Sequence, residues 1–91
     1  MPVRYRRAGR TVWRHVHGLV LVRPMSAPAI IALTGTGVDL WRLLATPLTV
    51  DELARELGDR YTRPEDDIRL DIAPALKDLL ARGVLEQVDQ P

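Results

Sequence analysis

From Leu33 to Glu86 the chain reads LTGTGVDLWRLLATPLTVDELARELGDRYTRPEDDIRLDIAPALKDLLARGVLE. Three helical patterns follow one another here, each with its own start and stop signals, directly after a strand-rich first third. Three short strands and then three helices, in only 91 residues, leave little chain to cover the margins of a sheet. One strand is therefore expected to lie open at an edge beside a helix. An open edge of that kind accepts an extended peptide as an added strand.

The elements read as follows. Residues 1–10 hold four arginines and end at Gly9-Arg10, and they read as a flexible Arg-rich arm. Thr11–Val16 and Leu19–Arg23 are β-rich, with His17-Gly18 as a tight turn between them. The proline-containing RPMSAP stretch is a loop, and Ala29–Leu33 (AIIAL) is the third strand. Its lack of polar alternation implies that both its faces are covered. Thr36 is the expected N-cap of a first helix over 37–45, which Pro47 ends. Thr49 to Glu52 (TVDE) has the form of a capping box for a second helix ending near Gly58. Thr62 to Glu65 (TRPE) is a second such box, opening a third helix that Gly83 stops and Pro74 kinks. Val84–Val88 reads as a final strand or an extended tail. The two short consecutive helices have the look of a helix-turn-helix pair. The expected fold is thus α+β and winged helix-turn-helix-like. A three-stranded antiparallel sheet is followed by three helices, forming a single domain over 11–88.

Charge is distributed unevenly. Residues 1–38 carry six arginines and no acid, whereas 39–91 carry all twelve acids against seven bases. A basic N-terminal third raises the possibility of nucleic-acid contact. Yet the third helix exposes Glu65, Asp66, Asp67, Asp71 and Asp78 against Arg69, Lys77 and Arg82. Presented to phosphates as a recognition helix, that face is repulsive, so a winged-helix DNA-binding factor is the alternative reading and no nucleic-acid partner is expected. There is no cysteine, which excludes thiol catalysis and thiolate metal sites and fits a reducing compartment. No apolar run reaches the length of a signal-peptide core or a membrane span, so a cytoplasmic protein without a membrane partner is expected.

Catalytic chemistry finds no foothold. His15 and His17 share one face of a strand but have no third ligand of their kind. Ser26, the one serine, lacks a glycine elbow. Thr34-Gly35-Thr36-Gly37 lacks the lysine and the spacing of a phosphate loop. The Glu65-Asp66-Asp67 run is explained by the helix dipole. The expectation is a protein that is not an enzyme and uses no cofactor or metal.

The segments AIIALTGTGVDLWRLLATPLTVDELARELGDRY and DIAPALKDLLARGVLE together resemble the PqqD-like family of leader-peptide recognition domains. The resemblance rests on Leu33, on Trp41 with Leu43 and Leu44, on Thr49-Glu52-Leu53, on Tyr61, and on Asp71-Ile72 with Leu76 and Leu79. It covers roughly residues 11–86, and departs where RPMSAP and AII stand in place of a commoner turn and aromatic residues. A free-standing, Arg-rich chain of this kind is most similar to the small partner of the lasso-peptide protease. That resemblance implies binding of the leader of a ribosomally made precursor peptide, and presentation of it to a separate cysteine-protease leader peptidase. A ring-closing cyclase is a further partner. It also implies that the leader adds beside the third strand and is clamped by the third helix. The residues expected to meet it are Ala29, Ile30, Ile31, Ala32 and Leu33 of the strand, with Asp67, Ile68, Leu70, Asp71, Ile72, Ala75 and Leu76 of the helix. A constitutive structural or toxin-antitoxin-type interaction module is the remaining competing class.

Overall fold

A computed structural model describes residues 2–25 and 29–89. Ser26, Ala27 and Pro28 of the expected proline loop, with Met1 of the expected arm, lie outside them.

The hairpin forms as the sequence predicts. β2 (Val12–Val16) and β3 (Leu19–Arg23) pair antiparallel across His17-Gly18. The turn residues take φ of 47° and 80°, the two positive angles of a type I′ turn, which matches strand twist. β4 (Ile31–Leu33) pairs with β3, giving the sheet order β2-β3-β4. Val20, Val22 and Leu33 face the core. Only one face of β4 is covered, in contrast to the expectation from AIIAL. Ala32 points outward, and Ile30 precedes the strand with 66% of its surface exposed. The run is apolar on both sides because alanine is small enough to leave exposed at little cost, so it does not signal two covered faces.

A second three-stranded sheet was not anticipated. β1 (Val3–Arg7) pairs with β6 (Leu85–Asp89) on one side and with the two-residue β5 (Leu48–Thr49) on the other. The first residues are therefore a central strand and not the loose arm their arginines indicate. VRYRR alternates in a strand: Tyr5 packs against the core and Arg7 reaches Trp41, while Arg6 points away and donates to Glu86 at 2.6 Å.

Three helices share one core with the two sheets. α1 (Thr36–Leu43) begins with Gly35, not Thr36, at its N-cap, and no side chain caps it. The amides of Val38 and Asp39 instead bond to the Gly35 carbonyl at 3.0 and 3.2 Å. α2 (Val50–Tyr61) starts with the expected capping box: Thr49 Oγ1 accepts from the Glu52 amide at 3.1 Å, and Glu52 accepts from the Thr49 amide at 2.9 Å. It continues one turn past Gly58 and ends on Thr62, which has φ of 53°. Gly58 is there for close approach rather than termination, since a Cβ would lie 2.9 Å from the Arg63 carbonyl. α3 (Glu65–Ala81) has Pro64 at its N-cap without the predicted side-chain bond, and it runs through Pro74. The carbonyl that Pro74 leaves free belongs to Leu70. Both residues are exposed, so water can serve it. α3 ends in a Schellman motif, with Gly83 and Val84 donating to the Leu80 and Leu79 carbonyls at 3.1 and 2.9 Å.

The core gathers Leu40, Trp41 and Leu44 of α1, Leu53 and Leu57 of α2, and Ile68, Ile72, Leu76 and Leu79 of α3. Val84 and Leu85 close it against the second sheet. Among the described residues no helix is long and apolar enough to cross a membrane.

Candidate functional site: an open strand edge beside the third helix

Among the described residues β4 has a neighbour on one side only. The register identifies which of its backbone groups are open. A two-residue hairpin closes on a pair that exchanges both hydrogen bonds, here Val16 and Leu19. Bonded pairs recur at every second residue, so Leu19, Leu21 and Arg23 direct their amide groups to β2. Val20 and Val22 must then direct theirs to β4, where they meet Leu33 and Ile31. Ala32 consequently aims its N–H and C=O at the free side, and Ile30 is the next outward position. Of the five strand residues expected to receive a peptide, Ile31 and Leu33 satisfy their backbone groups within the sheet, while Ile30 and Ala32 have theirs available. Ala29, before the strand, is exposed.

α3 runs beside this edge, and its C-terminal half is the part that faces β4. Ala75, Asp78, Leu79 and Arg82 line a cleft of about 420 Å³ with Ile31–Leu33. A second recess of about 410 Å³ continues toward the N-terminal half of α3, lined by Ile68, Asp71 and Ile72 with Leu57, Tyr61 and Arg63. Gly35 and Thr36 line both, so the two recesses adjoin and form one trough along the helix. Its lining positions on α3, at 68, 71, 72, 75, 78, 79 and 82, follow the three-and-four spacing of a single helix stripe.

Four of the seven helix residues expected at the site, Ile68, Asp71, Ile72 and Ala75, lie on this stripe. Ile68 and Ile72 are nearly fully buried and act as its floor, so an acidic substitution there would unfold the domain rather than probe the groove. Leu76 is core on the opposite flank, where it lines a recess with Tyr5 and Val50. Leu70 is 75% exposed and, like Asp67, lines neither part of the trough. Asp78, Leu79, Arg82 and the Thr34–Gly37 turn were not anticipated. The signal was present in the 75, 78, 79, 82 spacing, but nothing local says which flank of an amphipathic helix meets a strand.

The charges along the trough are paired. Arg63 Nη1 lies 2.6 Å from Asp71 Oδ2, and Arg82 Nε lies 3.2 Å from Asp78 Oδ1. These pairs are half-exposed and inexpensive to separate, so either carboxylate can be exchanged to a basic ligand group. The Tyr61 hydroxyl, hydrogen-bonded to Asp39, titrates above its ordinary value because that bond holds the neutral phenol. Beyond the trough, Arg69 bonds to both Asp51 of α2 and Asp66 of α3, which ties the two helices together at their acidic surface. Among the described residues no group of His, Asp or Glu side chains gathers to hold a metal ion.

The family model described as coenzyme PQQ synthesis protein D (PqqD) matches residues 18–85, which include the open strand, the three helices and the whole trough. No curated protein and no solved structure matches the chain.

Proposed function

The chain belongs to the PqqD family of precursor-peptide recognition domains, and from that premise we propose that it captures a leader segment by strand addition at β4. The leader's backbone pairs with Ala32 and Ile30, which supplies affinity that tolerates sequence. Its alternate side chains enter the trough along α3, where Ala75, Leu79 and the Ile68–Ile72 floor select apolar groups. Asp71 and Asp78 receive basic groups at the rim by exchange with Arg63 and Arg82. The captured leader is presented to a separate cysteine-protease leader peptidase, in a lasso-peptide pathway whose cyclase then closes the ring.

The observation that supports this reading most directly is the one-sided pairing of β4 among the described residues, next to the trough along α3. A domain without a strand-like ligand is expected to protect such an edge with charge, proline or a covering segment, whereas Ala32 leaves it open. Ala32→Pro tests the reading. It removes the outward N–H and obstructs an incoming strand, while the bonds from Ile31 and Leu33 to β3 stay in place. By calorimetric titration with the leader of a precursor encoded beside this gene, affinity falls by about tenfold or more. Undiminished binding by a folded Ala32→Pro variant removes the strand-addition mechanism.

A further inference from the structure

The opposite edge of the same sheet carries a second built recess. Arg7 of β1 sits between Trp13 of β2 and Trp41 of α1, its Cζ 4.9 and 4.5 Å from the two ring centroids. The rings meet edge to face at 5.7 Å, and Arg7 Nε donates to the Trp41 carbonyl at 2.8 Å. His15 and Arg42 complete a recess of about 250 Å³ that has Val20 and Val38 as its apolar lining. Its side-chain polar groups are cations or N–H donors, with the His15 ring as the one group able to accept as well and no carboxylate among them. Trp41 Nε1 is buried and has no hydrogen-bond partner among the described residues. Burial holds the Arg7 guanidinium below its ordinary value. Neither Arg7 nor Arg42 makes an ion pair among the described residues.

We propose that this recess is a second recognition site, which takes a carboxylate side chain from an acidic, extended segment of a partner protein paired to the free edge of β2. Among the described residues β2 is the other terminal strand of its sheet. By the register argument Trp13 and His15 turn their backbone N–H and C=O groups outward there. An incoming strand would place alternate side chains on the face that carries Trp13 and His15, over the recess. Arg10, Arg14 and Arg23 lie on or beside the hairpin and favour an acidic approach. A nucleic acid fits less well. Its phosphates need a continuous cationic track, whereas this recess is a single pocket between valines and the helices behind it are acidic. The site is independent of the trough at β4 and can be filled at the same time.

Trp13 and Trp41 are the only tryptophans of the chain, so tryptophan emission, excited selectively over tyrosine, reads this recess rather than the trough that Tyr61 lines. The probe is an acetylated, amidated octapeptide alternating glutamate with threonine, compared with its glutamine counterpart and with a short single-stranded DNA. The glutamate peptide is expected to give a saturable change in emission, with affinity about tenfold above that of the glutamine peptide. Arg42→Glu and His15→Glu, both at exposed positions, abolish the difference in variants whose circular dichroism is unchanged, while Ala32→Pro leaves it intact. No saturable change, equal responses to both peptides, or tighter binding of the DNA would overturn the proposal.

Discussion

The hydroxyl of Tyr61 donates to Asp39 Oδ2 at 2.5 Å, joining the last turn of α2 to the first turn of α1 at the mouth of the trough. The bond holds the phenol neutral, so Tyr61 ionises above the ordinary tyrosine value of about 10. A folded-state pKa raised in this way gives stability that is complete below the unfolded value and is lost as pH rises through the folded one. Ultraviolet titration should show a late-ionising phenol that moves back toward the ordinary value in Asp39→Asn. An identical titration curve in that variant removes the assigned cause.

The part of α3 that meets a ligand can be tested at Ala75. This residue is half-buried and lines the cleft against β4, so Ala75→Trp fills the space a leader side chain would occupy. Leader affinity is expected to fall by about tenfold or more, the equivalent of about 1.4 kcal/mol. Leu70→Asp, on the exposed flank, is expected to leave it unchanged. The reverse ranking would move the binding surface to the outer side of the helix.

How much of this was legible in the sequence depended on how local the cause was. The Thr49–Glu52 box, the His17-Gly18 turn and the Gly83 stop involve neighbours within a few residues, and each formed as read. β1 was hidden because its partners lie at Leu48–Thr49 and Leu85–Asp89, far along the chain, and because arginines mask the alternation of Val3, Tyr5 and Arg7. The strand and the helix of the candidate site were both legible as elements. The facing positions were legible only in part. Ile68, Asp71, Ile72 and Ala75 line the trough, but periodicity shows only that α3 is amphipathic, and the choice between the Ala75–Leu79 flank and Leu76 is made by tertiary docking. The recess at Trp13 and Trp41 needed four elements to converge, β1, β2, β3 and α1, and no spacing in the chain announces it.

The capping box makes a prediction about acid. Glu52 is held below the usual carboxylate range, chiefly by the Thr49 amide it accepts from. A depressed folded-state value gives stability that is present above the unfolded pKa of about 4.3 and is lost as pH falls through the folded one. Denaturant unfolding over an acidic pH series should show this limb flattened in Glu52→Gln. Thr49→Ala removes the reciprocal bond as well, and at neutral pH it is expected to cost about 1 kcal/mol.

Gly58 separates propensity from packing. In an exposed helix interior, replacing glycine by alanine stabilises by about 1 kcal/mol. Here the new methyl would lie 2.9 Å from the Arg63 carbonyl, and that carbonyl belongs to a backbone segment already fixed by the Arg63 amide bonding to Gly58 O at 3.0 Å. Overpacking of this kind costs about 1–3 kcal/mol, so Gly58→Ala is expected to lower the urea midpoint despite its better propensity. Relief of the contact would push the α2–α3 connection outward and carry the Arg63 guanidinium away from Asp71, loosening one rim of the trough. Leader affinity should therefore fall together with stability. A raised midpoint would show that the connection yields freely and that Gly58 has no packing role.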